Sequence, residues 1–266
     1  MVTGLGGGVI GDLAGFVAGT YMRGLALAHL PTTLLAQVDS AIGGKTAVNH
    51  PRAKNLIGVF HQPALVVADV ETLKALPQRE VRSGLAEVIK YGMACDAGLL
   101  VFVEDHLDAL LARDPGALRQ CVRWCASIKA RVVQEDEHER GPRRLLNYGH
   151  TVGHALEILA GGSLTHGEAV AIGMSVEARI AQRLGLAGEA VLQGQNALIS
   201  RAGLPTMIPS DGPGADELLQ TMRLDKKAHH GELRLTLVKD PGTGVLDEPV
   251  PEAVVREALA ACRASS

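Results

Sequence analysis

The pattern of apolar and polar positions changes near residue 75. Before it, short apolar runs alternate with glycine and threonine turns. Residues 26–30 and 64–70 predict short buried strands, and residues 33–43 fit a helical segment. Beyond it, apolar positions recur at helical spacing over residues 81–93, 96–113, 115–136, 145–160, 167–184, 188–202 and 251–262. Pro115 suits a first helical turn, and Gly185 and Gly203 suit helix stops. Residues 234–238 are the clearest late strand, with room for one hairpin. The expected fold class is therefore α/β plus all-α, with an α/β domain over residues 1–75 and a mainly helical one over 76–266.

Composition narrows the classes of function. With 47% apolar and 21% charged residues, the chain reads as globular rather than disordered. Aromatics at 3% argue against a base-stacking surface, and a net charge of -3 supplies no field toward nucleic acid or acidic lipid. Neither nucleic acid nor membrane is an expected partner. The four cysteines form no C-x-x-C pair, and Cys121 and Cys125 share one helix face as small core residues. No apolar run reaches 18 residues, and the start lacks a basic region and carries Asp12, so the expected address is cytoplasmic.

Several clusters could carry chemistry. Gly6-Gly-Gly-Val-Ile-Gly11 satisfies G-x-G-x-x-G, where glycines let a pyrophosphate approach backbone at a helix start. Only five residues precede the loop, and no acid clearly closes a βαβ unit, so an ordinary Rossmann reading is incomplete. Gly43-Gly-Lys-Thr46 fails as a P-loop because Asp39 stands where the first glycine belongs, but Lys45 remains suited to an anion. Glu87 and Lys90 share a helix face, which by spacing alone predicts a surface ion pair. His150 and His154 could bind a metal at i, i+4, with Glu157 as ligand or supporting partner. His150 with His166 and a carboxylate from elsewhere is the other ligand set, and spacing does not choose. Arg23, Lys45, Lys54, Lys90, Lys129, Arg143, Lys226 and Lys227 would suit a phosphorylated, carboxylated substrate.

Taken together, eight segments in order resemble 3-dehydroquinate synthase. They are Gly6-Gly-Gly-Val-Ile-Gly-Asp12, Leu30-Pro-Thr-Thr-Leu-Leu-Ala-Gln-Val-Asp-Ser40, Gly43-Gly-Lys-Thr-Ala-Val-Asn49, Lys54-Asn55, Ser83-Gly-Leu-Ala-Glu-Val-Ile-Lys-Tyr91, Leu146-Asn-Tyr-Gly-His-Thr-Val-Gly-His154, His166-Gly-Glu168 and Asp225-Lys-Lys227. The resemblance implies conversion of 3-deoxy-arabino-heptulosonate 7-phosphate to 3-dehydroquinate and phosphate, with catalytic NAD and one divalent metal, zinc or cobalt. It implies a Rossmann-like domain, then a helical domain, with the active site in the cleft between them.

Carried over, the likeness makes Glu87, His150 and His166 metal ligands, and His154 a group near the substrate phosphate. Gly8, Val9, Ile10, Gly11, Asp12, Thr32, Thr33, Lys45, Lys54, Thr72, Leu73, Lys74 and Ala75 match dinucleotide contacts. Asp39, Lys90, Lys129, Arg143, Asn147 and Lys227 match the substrate pocket, with Lys226 in competition for the last place. Arg23 matches an arginine that reaches the substrate phosphate. Family members are usually dimers, so a homodimer is the expected assembly. The departure is at the front, where the family carries a substantial α/β segment before the glycine loop. Weak NAD binding and poor solubility are the expected consequences. An impaired fragment and a related sugar phosphate cyclase are the alternatives.

Overall fold

The computed structural model describes residues 1–50, 53–225 and 233–265. Its elements in chain order are β1 (Val2–Gly6), α1 (Gly8–Thr20), β2 (Leu27–Pro31), β3 (Lys45–His50), β4 (Ala53–Phe60), β5 (Leu65–Val66), α2 (Gln78–Ala94), α3 (Ala97–Leu111), α4 (Pro115–Glu135), α5 (His150–Leu159), α6 (His166–Arg183), α7 (Glu189–Arg201), α8 (Ala215–Asp225), β6 (Leu233–Asp240), β7 (Thr243–Val250) and α9 (Glu252–Ala261). They divide into two compact units, each discontinuous in sequence. One holds Met1–Val88 with His106–Arg143, the other Ile89–Asp105 with Arg144–Ser266. α2 and α3 run unbroken through the points of division.

The first unit is built on a parallel sheet in the order β1-β2-β5, with β1 and β2 in register from Val2↔Leu27 to Gly6↔Pro31. The crossover between those strands is α1. This helix buries only Gly15 and Ala18, and a Cβ at Gly15 would stand 2.2 Å from Thr46 Cγ2, an approach that glycine allows. Its outer stripe of Val9, Leu13 and Val17 is exposed, as is Leu5 of β1. β3 and β4 form an antiparallel hairpin in which Thr46 pairs with Val59. α4 opens on Asp114, whose side chain caps Ala117 N at 2.8 Å, with Pro115 in the first turn as the sequence predicts.

The second unit packs around α6, which is buried on nearly every face. Ile172, Val176 and Ile180 of α6 share a core with Val152 and Leu156 of α5, Leu218 and Met222 of α8, Leu235 and Leu237 of β6, and Val255 and Leu259 of α9. Gly185 and Gly203 end their helices at φ 71° and 74°, the left-handed region expected of helix stops. β6 and β7 pair antiparallel, which fills the place left for a late hairpin.

Some expectations are corrected. The helix expected over 145–160 is two pieces, a 3-10 segment Pro142–Asn147 and then α5, because Gly149 takes φ 77° and cannot continue a helix. The segment 33–43 contains a π-helical turn, Ala36–Ser40, rather than a regular helix. The strand expected over 64–70 shrinks to β5, since only Leu65 and Val66 pair with β2 and Val70 already starts a 3-10 segment ending at Ala75. The β3–β4 hairpin and α8 lie where no element was expected.

Candidate metal centre

The centre depends on how two helices begin. α6 starts on a capping box: Thr165 Oγ1 accepts from Glu168 N at 3.3 Å, and Glu168 Oε2 accepts from Thr165 N at 2.8 Å. That fixes His166 as the first helical residue. α5 starts at His150 behind Gly149. The two helices cross at almost backbone-to-backbone distance, since a Cβ on Gly173 would stand 2.0 Å from Gly149 O. A Cβ on Gly153 would stand 3.1 Å from Ala169 O. The imidazole rings of His150 and His166 are thereby brought to 5.4 Å between centroids, with His154 at 5.1 Å and 6.1 Å from them.

Hydrogen bonds select which nitrogen each ring presents. His150 Nδ1 lies 3.0 Å from the carbonyl of Tyr148, and a carbonyl only accepts, so Nδ1 carries the proton and Nε2 keeps its lone pair. His166 Nδ1 lies 3.1 Å from Glu157 Oε2, with the same consequence. Glu87, fully buried in α2, completes the set: one ligand atom from each of Glu87, His150 and His166 lies within 4.8 Å of the others. Two imidazole nitrogens and a carboxylate oxygen are a donor set that zinc or cobalt accepts, with room for a further ligand. His154 is not part of that group. Glu157 lies outside it too and faces His166 Nδ1.

The surface ion pair expected of Glu87 and Lys90 is overturned by burial, since these residues are 0% and 1% exposed. Lys90 lies 4.8 Å from the centroid of the Tyr91 ring. In the first unit, buried Lys129 pairs with the Asp39 carboxylate and donates to the Asp39 carbonyl at 2.7 Å. Arg143, 2% exposed, donates to Gly43 O at 2.8 Å and Glu137 O at 2.5 Å. Lys45 is paired with Glu139. Asp39, Lys45, Lys129 and Arg143 thus gather about the 36–44 turns. Arg143 is held from below by Asp136, whose carboxylate accepts from the backbone of Arg140, Gly141 and Arg143 at 2.9, 2.7 and 3.2 Å. These bonds, Arg140's first, keep its carboxyl below the ordinary range, and the Arg143 charge adds to them. Arg23 is exposed beyond α1 at φ 67°, and Asn147 ends the 3-10 segment before α5. Lys226 and Lys227 lie outside the described residues.

The glycine loop leads from β1 into α1. Gly7 is the N-cap and supplies no side-chain cap, and a Cβ there would stand 3.0 Å from Thr33 Cγ2. One on Gly8 would stand 3.2 Å from Ser40 Oγ, so the loop is a backbone surface with no space for side chains behind it. Gly8, Val9, Ile10, Gly11 and Asp12 form the first turns of α1, with Val9 and Ile10 exposed. Thr32 and Thr33 follow β2, and Thr33 Oγ1 accepts from Ala36 N at 3.2 Å. Thr72, Leu73, Lys74 and Ala75 lie in the 3-10 segment, with Leu73 buried and Lys74 paired with Glu71. Lys54 lies on β4. Residue-level reading missed Gln37: fully buried, its Nε2 donates to Pro31 O (3.0 Å), Asp69 O (2.9 Å) and Thr72 Oγ1 (3.1 Å). It ties the end of β2 to the 3-10 segment. A lone glutamine in an apolar run was the signal available.

This architecture is also that of solved cyclases. It matches 2-epi-5-epi-valiolone synthase from Streptomyces hygroscopicus, a structure with NAD+ and Zn2+ bound, at a TM-score of 0.91 and 30% identity, covering 98% of this chain and 72% of that one. It matches a 2-deoxy-scyllo-inosose synthase complexed with carbaglucose-6-phosphate, NAD+ and Co2+ at 0.89 and 33%, covering 97% and 72%. Family models describing the N-terminal and C-terminal parts of 3-dehydroquinate synthase match residues 1–83 and 84–228. The 3-dehydroquinate synthase of Acidithiobacillus ferrooxidans is 51% identical over 258 residues, covering 97% of this chain and 70% of that one. That of Nitrosospira multiformis is 47% identical over 263 residues, covering 98% and 71%. The chain belongs to the 3-dehydroquinate synthase family. No helix among the described residues is long and apolar enough to cross a membrane.

Proposed function

We propose that the chain converts 3-deoxy-arabino-heptulosonate 7-phosphate to 3-dehydroquinate and phosphate, as a carbon-oxygen lyase of the shikimate pathway using NAD and one zinc or cobalt ion. The observation that carries this reading is the convergence of Glu87, His150 and His166. Bound there, NAD would supply reversible hydride transfer and the cation Lewis-acid polarisation of substrate oxygens. The chain's own part is to hold and orient. Glu87, His150 and His166 would grip the ion, and the Tyr148 carbonyl and Glu157 keep each imidazole in the tautomer that can do so. The backbone of Gly7 and Gly8 would receive the dinucleotide pyrophosphate, with Thr33, Lys45 and Lys54 beside it.

Lys90, Lys129, Arg143, Asn147 and Lys227 would clamp the substrate carboxylate and hydroxyls, with His154 and Arg23 at the phosphate. Lys129 is held in place by Asp39 and Arg143 by Gly43 and Glu137, so neither must be ordered when substrate arrives. Burial of Glu87 and Lys90 keeps bulk water from these groups. A cytoplasmic address and a homodimer belong to the same reading. The test is phosphate release from the heptulosonate phosphate with NAD and zinc or cobalt, beside a hexose 6-phosphate. Release from the first alone is expected. Release from the hexose phosphate alone would overturn the substrate assignment, and none from either would overturn the activity.

A further inference from the structure

α5 carries His150 at its first position, yet its N-cap, Gly149, has no side chain with which to cap the helix. Sequence-local capping is closed here on steric grounds. Gly149 sits at φ 77°, and a Cβ on it would stand 2.5 Å from Met174 Cγ and 2.9 Å from Val170 O. A capping box normally satisfies two amides, that of the N-cap residue and that of the third helical residue. In α5 these belong to Gly149 and Val152. Both point at one carboxylate from the neighbouring helix: Glu177 Oε2 accepts from Gly149 N at 2.5 Å, and Glu177 Oε1 lies 3.5 Å from Val152 N. Glu177 is fully buried in the middle of α6. A buried carboxylate is costly to keep unless it is hydrogen-bonded, and the amide-rich, positive end of a helix is where an anion is best held.

The residue just before Gly149 is fixed as well. Tyr148 is fully buried, its hydroxyl donates to Gln195 Oε1 at 2.7 Å, and Gln195 Nε2 donates to Met174 O at 3.1 Å. The Tyr148 carbonyl is the group that sets the tautomer of His150. Glu177 therefore clamps the peptide units on both sides of this ligand.

We propose that Glu177 is a positioning residue for the metal centre: it supplies both halves of a capping box across the helix crossing and so fixes where His150 Nε2 points. The proposal rests on the metal reading above. It adds a residue whose carboxylate meets backbone amides of α5, lies 27 positions from the histidine it orients, and belongs to none of the resemblance-bearing segments.

The experiment is cobalt binding by the chain, read by competition titration and by the visible absorption of the bound ion, for the parent, Glu177→Ala and Glu177→Gln. Parent binding is the reference; its absence would sink the metal reading itself and, with it, this proposal. Given parent binding, Glu177→Ala is expected to weaken cobalt affinity about 10- to 100-fold, the range for removing a group that orients a ligand. The absorption of the ion that remains is expected to change shape. Glu177→Gln keeps the volume and can accept only one of the two amides, so several-fold weakening is expected from a chain that melts as the parent does. A purely structural role would lower the melting temperature of Glu177→Ala and leave the spectrum and affinity of folded protein unchanged, which would overturn the proposal. Should Glu177→Ala fail to fold, Glu177→Gln decides, and parent-like affinity and spectrum in it would overturn the proposal.

Discussion

Replacing Gly173 with alanine sets two physical effects against each other. In an open helix the change is favourable by about 1 kcal/mol, because glycine carries the larger conformational cost. In α6 the new methyl would stand 2.0 Å from Gly149 O and 2.8 Å from Gly153 N. Carbon and oxygen do not approach within about 3 Å, so the two backbones must part by roughly 1 Å. Overpacking of this kind costs about 1–3 kcal/mol, which exceeds the propensity gain through most of its range. Separation of α5 from α6 also separates His150 from His166, and metal sites tolerate only about 0.2 Å in ligand distance. Gly173→Ala is therefore expected to lower the melting temperature of the metal-free chain by up to about 8 °C. It should also weaken zinc or cobalt binding by at least roughly tenfold. Thermal melts without metal and a competition titration give both numbers. A raised melting temperature with parent-like affinity would show that the crossing is looser than its geometry implies, and the reasoning would fail.

Two pH effects follow from groups away from the ligands. His29 of β2 is buried, with Gly4 and Gly11 beside it, and burial lowers its pKa. The unfolded chain then takes up a proton before the folded one does. Stability should be full above about pH 6.5 and fall as the pH drops below it. Urea melts at descending pH should show that slope, and His29→Gln should flatten it; equal slopes would refute the assignment. The pKa of Asp136 is shifted down by its backbone hydrogen bonds. Its contribution is present above about pH 3.9 and is lost as the pH falls through its lower folded value. Asp136→Ala should speed amide exchange at Gly141 and Arg143 at neutral pH, and unchanged protection there would count against it.

What could be read along the chain was whatever is local. Helix periodicity found α2 to α4, α6, α7 and α9 to within a few residues, and Pro115, Gly185 and Gly203 marked ends where they fall. The Thr165-His-Gly-Glu168 capping signature was equally visible and would have placed His166 at the helix start. The break at Gly149 was not, because the apolar spacing continues across it and only the approach of α6 forces the left-handed backbone. Strands β3 and β4 were obscured by lysine, asparagine and histidine, residues that suggest loop until the pairing of Thr46 with Val59 is known. For the metal ligands, spacing left His150–His154 and His150–His166 equally open. What spacing could not show is that one donor atom from each of Glu87, His150 and His166 lies within 4.8 Å of the others. Glu177 is one acid in an apolar run, and its partners lie 25 and 28 residues earlier.

Both histidines proposed to hold the ion occupy the first position of their helices, and helix ends open more readily than helix middles. Each brief fraying of α5 or α6 would peel a nitrogen from the ion. How long a cation resides should therefore be governed by the terminal hydrogen bonds at Thr165, Glu168 and Gly149 as much as by the ligands' intrinsic affinity. A chelator would extract metal at a pace set by that breathing, and improved end-capping should slow extraction even where the equilibrium constant hardly moves.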